Sequence, residues 1–214
     1  MVYYPVNLNI RDKKILVVGG GKVAFRKTKR LYKCGSRVKV VCPELRREFR
    51  KFLDSKIDFF QYYKRKFRET DLEDIFMVIA ATDDSEANKE IAKKAGEKGI
   101  MVNVVDNREI SDFILPAVIN RGDFLLTLST SGNLPALSRK LREELEEKFG
   151  PEYELFMEEM SELRTKIIER VDDRQQRKQI FRKLADKNLI KMFSLDREKA
   201  LSEVKSIIHK EIER

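Results

Sequence analysis

The sequence has no tryptophan, one histidine and two cysteines among its 214 residues. Cys34 and Cys42 are not in a Cys-x-x-Cys arrangement, and a single histidine cannot supply a set of metal ligands. These absences argue against a zinc site and a disulfide framework. We expect two reduced, partly buried thiols and no metal site.

Long apolar runs are also missing. None approaches the roughly 20 residues that a membrane-spanning helix needs. The first residues, Met1–Val6, lack the basic-then-apolar layout of a signal peptide. The expectation is therefore a cytoplasmic protein with no membrane partner.

The net charge of +9 is spread unevenly along the chain. Residues 1–138 hold 26 Lys and Arg against 18 Asp and Glu, whereas residues 139–214 hold 19 against 18. This surplus suggests an acidic ligand for the first part. A nucleic acid is one candidate, but no base-reading motif or zinc pattern accompanies the charge, so no nucleic-acid partner is expected.

One stretch organises the rest of the chain. Four apolar residues, Ile15–Val18, precede three glycines and a helical pattern. The spacing Gly19-x-Gly21-x-x-Ala24 is typical of the strand, turn and helix that bind a dinucleotide. The first glycine permits a tight turn, the second leaves room for a pyrophosphate, and Ala24 lets the helix pack closely on the strand. The free N–H groups at the helix start would face the phosphates.

Apolar strands alternate with helices up to residue 112, which predicts a parallel sheet in the order 3-2-1-4-5. A short edge strand at Val2–Asn9 could precede it. The second helix is expected directly after the second strand, from Pro43-Glu44. The predicted strands of the sheet are Ile15–Val18, Arg37–Cys42, Ile57–Tyr62, Phe76–Ala81 and Ile100–Val105.

The pattern changes after Asp112. Ile114–Ile119 and Phe124–Leu128 are strand-like on either side of a turn-rich tetrad, which predicts a β-hairpin outside the parallel repeat. A hydroxyl-rich loop, Ser129–Asn133, follows, and Pro135 marks the first turn of a helix. The chain is helical thereafter, with predicted helices at Glu152–Arg170, Asp173–Lys187 and Arg197–Glu213.

The candidate cofactor site lies at the carboxyl ends of the strands, where such sheets bind ligands. A ribose-binding acid is expected about 20 residues past the glycines. Glu44 is 25 residues beyond Gly19, slightly farther along the chain than this expected position. Arg46 and Arg47 could instead accommodate a 2′-phosphate, but NAD is favoured over NADP. The residues predicted to bind NAD are Gly19, Gly21, Lys22, Val23, Pro43, Glu44, Thr82 and Asp83.

Taken in order, these motifs resemble the precorrin-2 dehydrogenase family, which includes the N-terminal part of siroheme synthase and the fungal bifunctional dehydrogenase–ferrochelatase. The glycine motif alone is widespread, whereas the Asn-Val-Val-Asp strand and the Ser/Thr-Gly-Pro loop at this separation are much more specific. The resemblance covers essentially the whole chain. It rests on Tyr4-Pro5, Val17–Lys27, Ala80–Asp84, Asn103–Asp106, Phe113-x-x-Pro116-Ala117 and Ser129-Thr130-Ser131-Gly132-x-x-Pro135.

This resemblance implies an α/β fold: a Rossmann-type parallel sheet (1–112), a β-hairpin dimerisation region (113–145) and a C-terminal helical domain (146–214). It also implies a homodimer that oxidises precorrin-2, a polycarboxylate tetrapyrrole, to sirohydrochlorin with NAD. Iron insertion stays open as a second activity. Asp106 holds the family's catalytic position, as a general base or by orienting the ring. Candidate substrate contacts are Arg108, Ser129, Thr130 and Arg139, with Arg121 and Arg142 as further carboxylate clamps.

Two departures from the family pattern bear on the substrate. The family loop often reads Ser-Ser-Gly-Gly where this chain has Thr130 and Ser131, and the pair after Asp106, usually small and prolyl, is Asn107-Arg108. No methyltransferase domain is expected. The alternative is a nucleotide-sensing regulatory domain, which would place its acid directly on the second strand and need neither the hairpin nor the hydroxyl-rich loop.

Overall fold

A computed structural model describes residues 3–212. This part of the chain divides into two compact units, with the boundary between Leu115 and Pro116. The first unit is an α/β fold and the second combines a β-hairpin with helices.

The first unit is built on a parallel sheet with the strand order β3-β2-β1-β4-β5, which confirms the predicted order. The central strand is buried along Ile15–Val18, as its uninterrupted apolar sequence requires. The strands are β1 (Lys14–Val18), β2 (Arg37–Val41), β3 (Phe60–Tyr63), β4 (Met77–Ala80) and β5 (Met101–Val104).

Helices cover both faces of this sheet. Ala24 and Phe49 are buried against one face, and Ile91 is buried against the other. A short 3₁₀ turn, Glu69–Leu72, lies between β3 and β4 and adds Leu72 to the second face. The α-helices of the unit are α1 (Lys22–Lys33), α2 (Arg47–Asp54) and α3 (Ser85–Glu97).

The second unit begins with an antiparallel hairpin of β6 (Ala117–Arg121) and β7 (Phe124–Leu128). Five helices follow in the described residues, and the last four enclose a core of their own, in which Ile180, Leu184 and Ala200 are almost fully buried. The helices of the unit are α4 (Pro135–Lys148), α5 (Glu152–Arg170), α6 (Arg174–Leu184), α7 (Lys187–Leu195) and α8 (Arg197–Ile212).

Several predicted bounds in the first unit are wrong. Residues 3–9 form no strand, and Val2 lies outside the described residues. The third strand begins only at Phe60, because Ile57–Phe59 forms a 3₁₀ turn. The second helix begins at Arg47, not at Pro43-Glu44, because the backbone N–H of Arg46 donates to the carbonyl of Gly20 and keeps the preceding residues in a loop. Cys42 is buried as expected, but Cys34 is exposed.

Two corrections concern the second unit. The first hairpin strand starts at Ala117, since Pro116 lacks the N–H that a ladder needs. The predicted helix Asp173–Lys187 ends at Leu184, and a separate helix, α7, follows. Its start is fixed by Asp186, whose carboxylate accepts the N–H groups of Asn188 and Leu189. Glu213, the predicted end of the last helix, lies outside the described residues.

Candidate functional site

The glycine turn after β1 is tight for a steric reason. Gly19 adopts a φ of 131°, and a β-carbon there would collide with the backbone carbonyl of Ala81. Its own N–H donates to the carbonyl of Val41 at 3.0 Å. The chain therefore leaves the sheet between β2 and β4 through a gap that only glycine fits.

Gly20 has a role that the sequence analysis did not predict. A β-carbon on Gly20 would collide with the backbone carbonyl of Glu44, and the Gly20 carbonyl accepts the N–H of Arg46 at 3.1 Å. The loop after β2 is thus packed directly on the glycine turn. This contact holds Pro43 and Glu44, both exposed, beside the start of α1.

Gly21 is different, because nothing in the described protein lies within 4 Å of a β-carbon built on it. Its φ of −80° also permits any residue. The described residues give the start of α1 no side-chain cap, and its first turn holds no acidic residue. Free N–H groups, open space and the exposed Lys22 are what a pyrophosphate needs, so a dinucleotide fits here. Val23 is half-buried and Ala24 is fully buried against the sheet.

The loop after β4 brings Thr82 and Asp83 to the same edge of the sheet. Thr82 Oγ1 donates to Asn88 Oδ1 at 2.8 Å, and Asn88 Nδ2 donates back to the Thr82 carbonyl at 3.1 Å. Asn88 is buried, and the sequence analysis did not single it out. Because Thr82 is committed to this pair, the exposed Asp83 is the more available group in the loop.

Asp106 follows β5 and is exposed at the carboxyl end of the sheet. Its φ of 61° lies in the left-handed region, which aspartate tolerates better than most residues. Arg108, two residues on, is exposed as well. The structure thus sets the predicted catalytic carboxylate on a turn at the same sheet edge as the glycines, with β4 between their strands.

Hydrogen bonds close the turn that carries Asp106. The N–H of Val102 donates to Asp112 Oδ2 at 2.8 Å, and the N–H of Asp112 donates to the carbonyl of Val102 at 2.9 Å. The Asn103 side-chain amide donates to the carbonyl of Phe113, also at 2.9 Å. The residues after the turn are therefore pinned to β5, and the backbone around Asp106 is held in place.

The remaining predicted substrate residues belong to the second unit. Thr130 Oγ1 accepts the N–H of Leu134 at 3.2 Å, and Ser129 Oγ accepts the N–H of Ser131 at 3.0 Å, which shapes the loop before α4. Arg139 is exposed on α4 and lines an open hollow of about 280 Å³.

The two additional clamp candidates are engaged within the protein. Arg121 Nε donates to the carbonyl of Phe149 at 2.9 Å, which ties the hairpin to the end of α4. Arg142 pairs with Glu146 at 2.6 Å along α4. Both guanidinium groups thus have structural partners, which weakens the case for either as a substrate clamp.

Residues 3–212 contain neither a cluster of metal ligands nor a membrane-spanning helix. No group of three or more His, Cys, Asp and Glu side chains is arranged to hold a metal ion. No helix in this part of the chain is long and apolar enough to cross a membrane.

Comparison with known proteins decides the family. Residues 6–117, more than half of the chain, match a family model described as "Putative NAD(P)-binding". The chain belongs to this NAD(P)-binding family. The match spans the glycine turn, the loops after β2 and β4, and the Asp106 turn.

Relatives of this NAD(P)-binding chain include siroheme synthases. That of Nitrosococcus oceani is 38% identical over 80% of this chain and 36% of its own length. That of Thioalkalivibrio sulfidiphilus is 34% identical over 95% of this chain and 41% of its own. The chain thus spans about two fifths of the length of these relatives.

A solved structure, named "SirC, precorrin-2 dehydrogenase", superimposes with a TM-score of 0.75 at 25% identity. The match covers 96% of this chain and 98% of that one. Together with the siroheme synthases, it confirms the predicted relationship to the precorrin-2 dehydrogenase family and the predicted fold class.

Proposed function

We propose that this chain is an NAD-dependent dehydrogenase that converts precorrin-2 to sirohydrochlorin. The observation that carries the proposal is the shared sheet edge, where the glycine turn after β1 and the Asp106 turn after β5 flank the loop after β4. The full-length likeness to a precorrin-2 dehydrogenase supports this choice of substrate.

The first role of the protein is to hold the dinucleotide. The N–H groups at the start of α1 and the space beside Gly21 receive the pyrophosphate, and Lys22 adds positive charge. Glu44, presented by its packing on Gly20, binds the adenosine ribose, which favours NAD over NADP. When bound, the nicotinamide accepts the hydride that leaves the substrate.

The second role is proton removal. Asp106 is exposed on a turn held by the bonds between Val102 and Asp112, so its carboxylate meets a ligand without reorganising the backbone. In our proposal it accepts the proton that the substrate loses as the hydride departs.

The third role is to neutralise a polyanionic substrate. The surplus of Lys and Arg lies in residues 1–138, the part that contains this edge. Arg108 and Arg139 supply guanidinium groups for carboxylates, and Ser129 and Thr130 supply hydroxyl groups. A cytoplasmic location and a tetrapyrrole substrate belong to the same proposal.

We further propose that the protein is a homodimer built from residues 113–145. In the hairpin only Ile119 is buried within the described chain, and α4 has no buried residue. Leu125, Leu134 and Leu137 expose 42%, 53% and 40% of their surface. Such an apolar set on β7 and around the start of α4 has to be covered, and a second copy of the chain supplies the cover.

The decisive experiment mixes the purified protein with NAD⁺ and precorrin-2 under anaerobic conditions and records the absorption spectrum. We expect the sirohydrochlorin spectrum to appear together with NADH absorbance in equal amounts. Binding of NAD⁺ without turnover would reject the dehydrogenase and favour a nucleotide-sensing domain.

A further inference from the structure

Lys27 makes an unusual connection across the first unit. It lies on α1, the helix that begins at the glycine turn, yet its Nζ donates to Asn103 Oδ1 on β5 at 3.0 Å. Asn103 is only 6% exposed and Lys27 is half-buried. A helical lysine normally extends its ammonium into water, so this inward direction is informative.

The connection continues beyond Asn103. Because the amide of Asn103 donates to the carbonyl of Phe113, the amide has a partner at each end. The chain Lys27–Asn103–Phe113 therefore spans the base of the turn that carries Asp106. It joins the helix that receives the dinucleotide to both ends of that turn.

The charge on Lys27 is costly where it lies. Burial lowers its pKa from 10.5 to about 8, the charges of Arg26 and Arg30 on the same helix act in the same direction, and Asp106 opposes them. A methionine could fill similar space without that cost, since its side chain is also long and unbranched. The ammonium group is kept close to Asp106 despite this cost, with the buried Asn103 as its hydrogen-bond partner.

We propose that Lys27 is a positioning residue for the dehydrogenation. Its ammonium group, through Asn103, holds the Asp106 turn in a fixed position relative to α1, the helix that receives the dinucleotide. The inference rests on the proposed function, since it assigns Lys27 a part in that reaction. A charged donor makes a stronger hydrogen bond than a neutral one, so the hold weakens when Lys27 loses its proton.

A first experiment needs no substrate. Hydrogen exchange is compared between wild type, Lys27→Met and the control Lys33→Met, which alters an exposed lysine in the last turn of α1. We expect Lys27→Met alone to speed exchange in peptides covering residues 101–113 by about tenfold, the effect of one charge-assisted hydrogen bond. Equal exchange in all three proteins would overturn the inference. Melting temperatures confirm that both variants are folded.

A second experiment measures turnover against pH. We expect Lys27→Met to lower kcat about tenfold with unchanged NAD⁺ affinity, and Lys27→Arg to restore it. Wild-type kcat should decline above pH 8 towards the level of Lys27→Met, whereas Lys27→Arg, which keeps its charge, should not show this decline.

The outcomes of these experiments distinguish a failure of the positioning role from a failure of the proposed function. A Lys27→Met variant with wild-type kcat and pH profile would overturn the positioning role while leaving the proposed function intact. A wild type without precorrin-2 turnover would refute the proposed function and the role of Lys27 in it. In that case the exchange data would still decide whether Lys27 holds the turn.

Discussion

Arg65 and Asp71 form a bidentate ion pair, with Nη1 2.7 Å from Oδ2 and Nη2 2.8 Å from Oδ1. Lys39 Nζ lies 2.9 Å from Oδ1 of the same carboxylate, and the N–H of Arg68 donates to Oδ2 at 2.9 Å. The Asp71 side chain is only 1% exposed. This cluster fixes the segment between β3 and β4 against β2. The connection between β3 and β4 contains a 3₁₀ turn but no α-helix.

Asp71→Asn should destabilise the protein by about 3 kcal/mol, because it leaves two cations without their carboxylate. Burial alone would raise the pKa of Asp71, but the hydrogen bonds from Arg65 and Lys39 outweigh it and lower the pKa from 3.8 to about 2. The stabilisation is therefore present above pH 3.8 and is lost as the pH falls through about 2. Urea unfolding of wild type and variant between pH 2 and 7 measures both effects.

Asp74→Asn is the matched control. Asp74 is 84% exposed, lies 3.5 Å from Lys14 and has a φ of 57° that asparagine also tolerates. Its substitution should change the free energy of unfolding by less than about 0.5 kcal/mol. A stability of Asp71→Asn equal to that of Asp74→Asn would show that the buried cluster contributes nothing.

The sequence predicted the sheet well because periodicity and glycine spacing are local signals. The strand order, the turn at Gly19 and the close packing of Ala24 all follow from residues adjacent in the chain. The contact of Gly20 with Glu44 could not be predicted, since it joins two loops from different strands. Lys27 was visible in the motif, but its partner Asn103 is 76 residues away.

Local signals were also missed. Asp186 is an N-cap residue inside a helical pattern. The prediction of a single helix over residues 173–187 took no account of this signal. Arg121 and Arg142 were predicted as clamps because guanidinium groups pair with carboxylates, but residue type does not reveal that Phe149 and Glu146 engage them. Side-chain partners depend on tertiary structure and are the part of the site that sequence predicts least.

Gly21→Asp should abolish NAD⁺ binding without unfolding the protein. The φ at Gly21 suits any residue and no described atom lies within 4 Å of a new β-carbon, so the substitution is sterically allowed in the free protein. A carboxylate would, however, occupy the pyrophosphate space and repel its charge. Calorimetric titration with NAD⁺, alongside the exposed helix variant Gly96→Asp, measures this. Equal affinities in both variants would remove the glycine turn from the site.

Leu137→Glu should convert the proposed dimer to monomers, because it places a charge in the apolar surface of the hairpin and α4. Light scattering at micromolar concentration measures the mass. Leu195→Glu, at a leucine that is 84% exposed on α7, should remain dimeric. A monomeric wild type would refute the dimer itself, and a dimeric Leu137→Glu would place the interface elsewhere.

Asp106→Asn should leave NAD⁺ affinity nearly intact and reduce dehydrogenation by roughly 10²–10⁴-fold, the usual contribution of a positioned general base. Asparagine keeps the size of the side chain and tolerates the φ of 61°, so the backbone of the turn should not change. It cannot accept a proton at neutral pH. Glu109→Gln, an exposed carboxylate on the same turn, is the control and should retain turnover within about threefold.

The same variant also tests iron insertion, the activity left open by the resemblance. Insertion of Fe²⁺ requires loss of the pyrrole protons, and with one histidine in the chain a carboxylate is the natural base. If the wild type inserts iron faster than the spontaneous reaction, Asp106→Asn should lower that rate along with dehydrogenation. We expect the wild type only to dehydrogenate. Near-normal dehydrogenation by Asp106→Asn would assign the carboxylate a structural role and leave the base to be found elsewhere on the sheet edge.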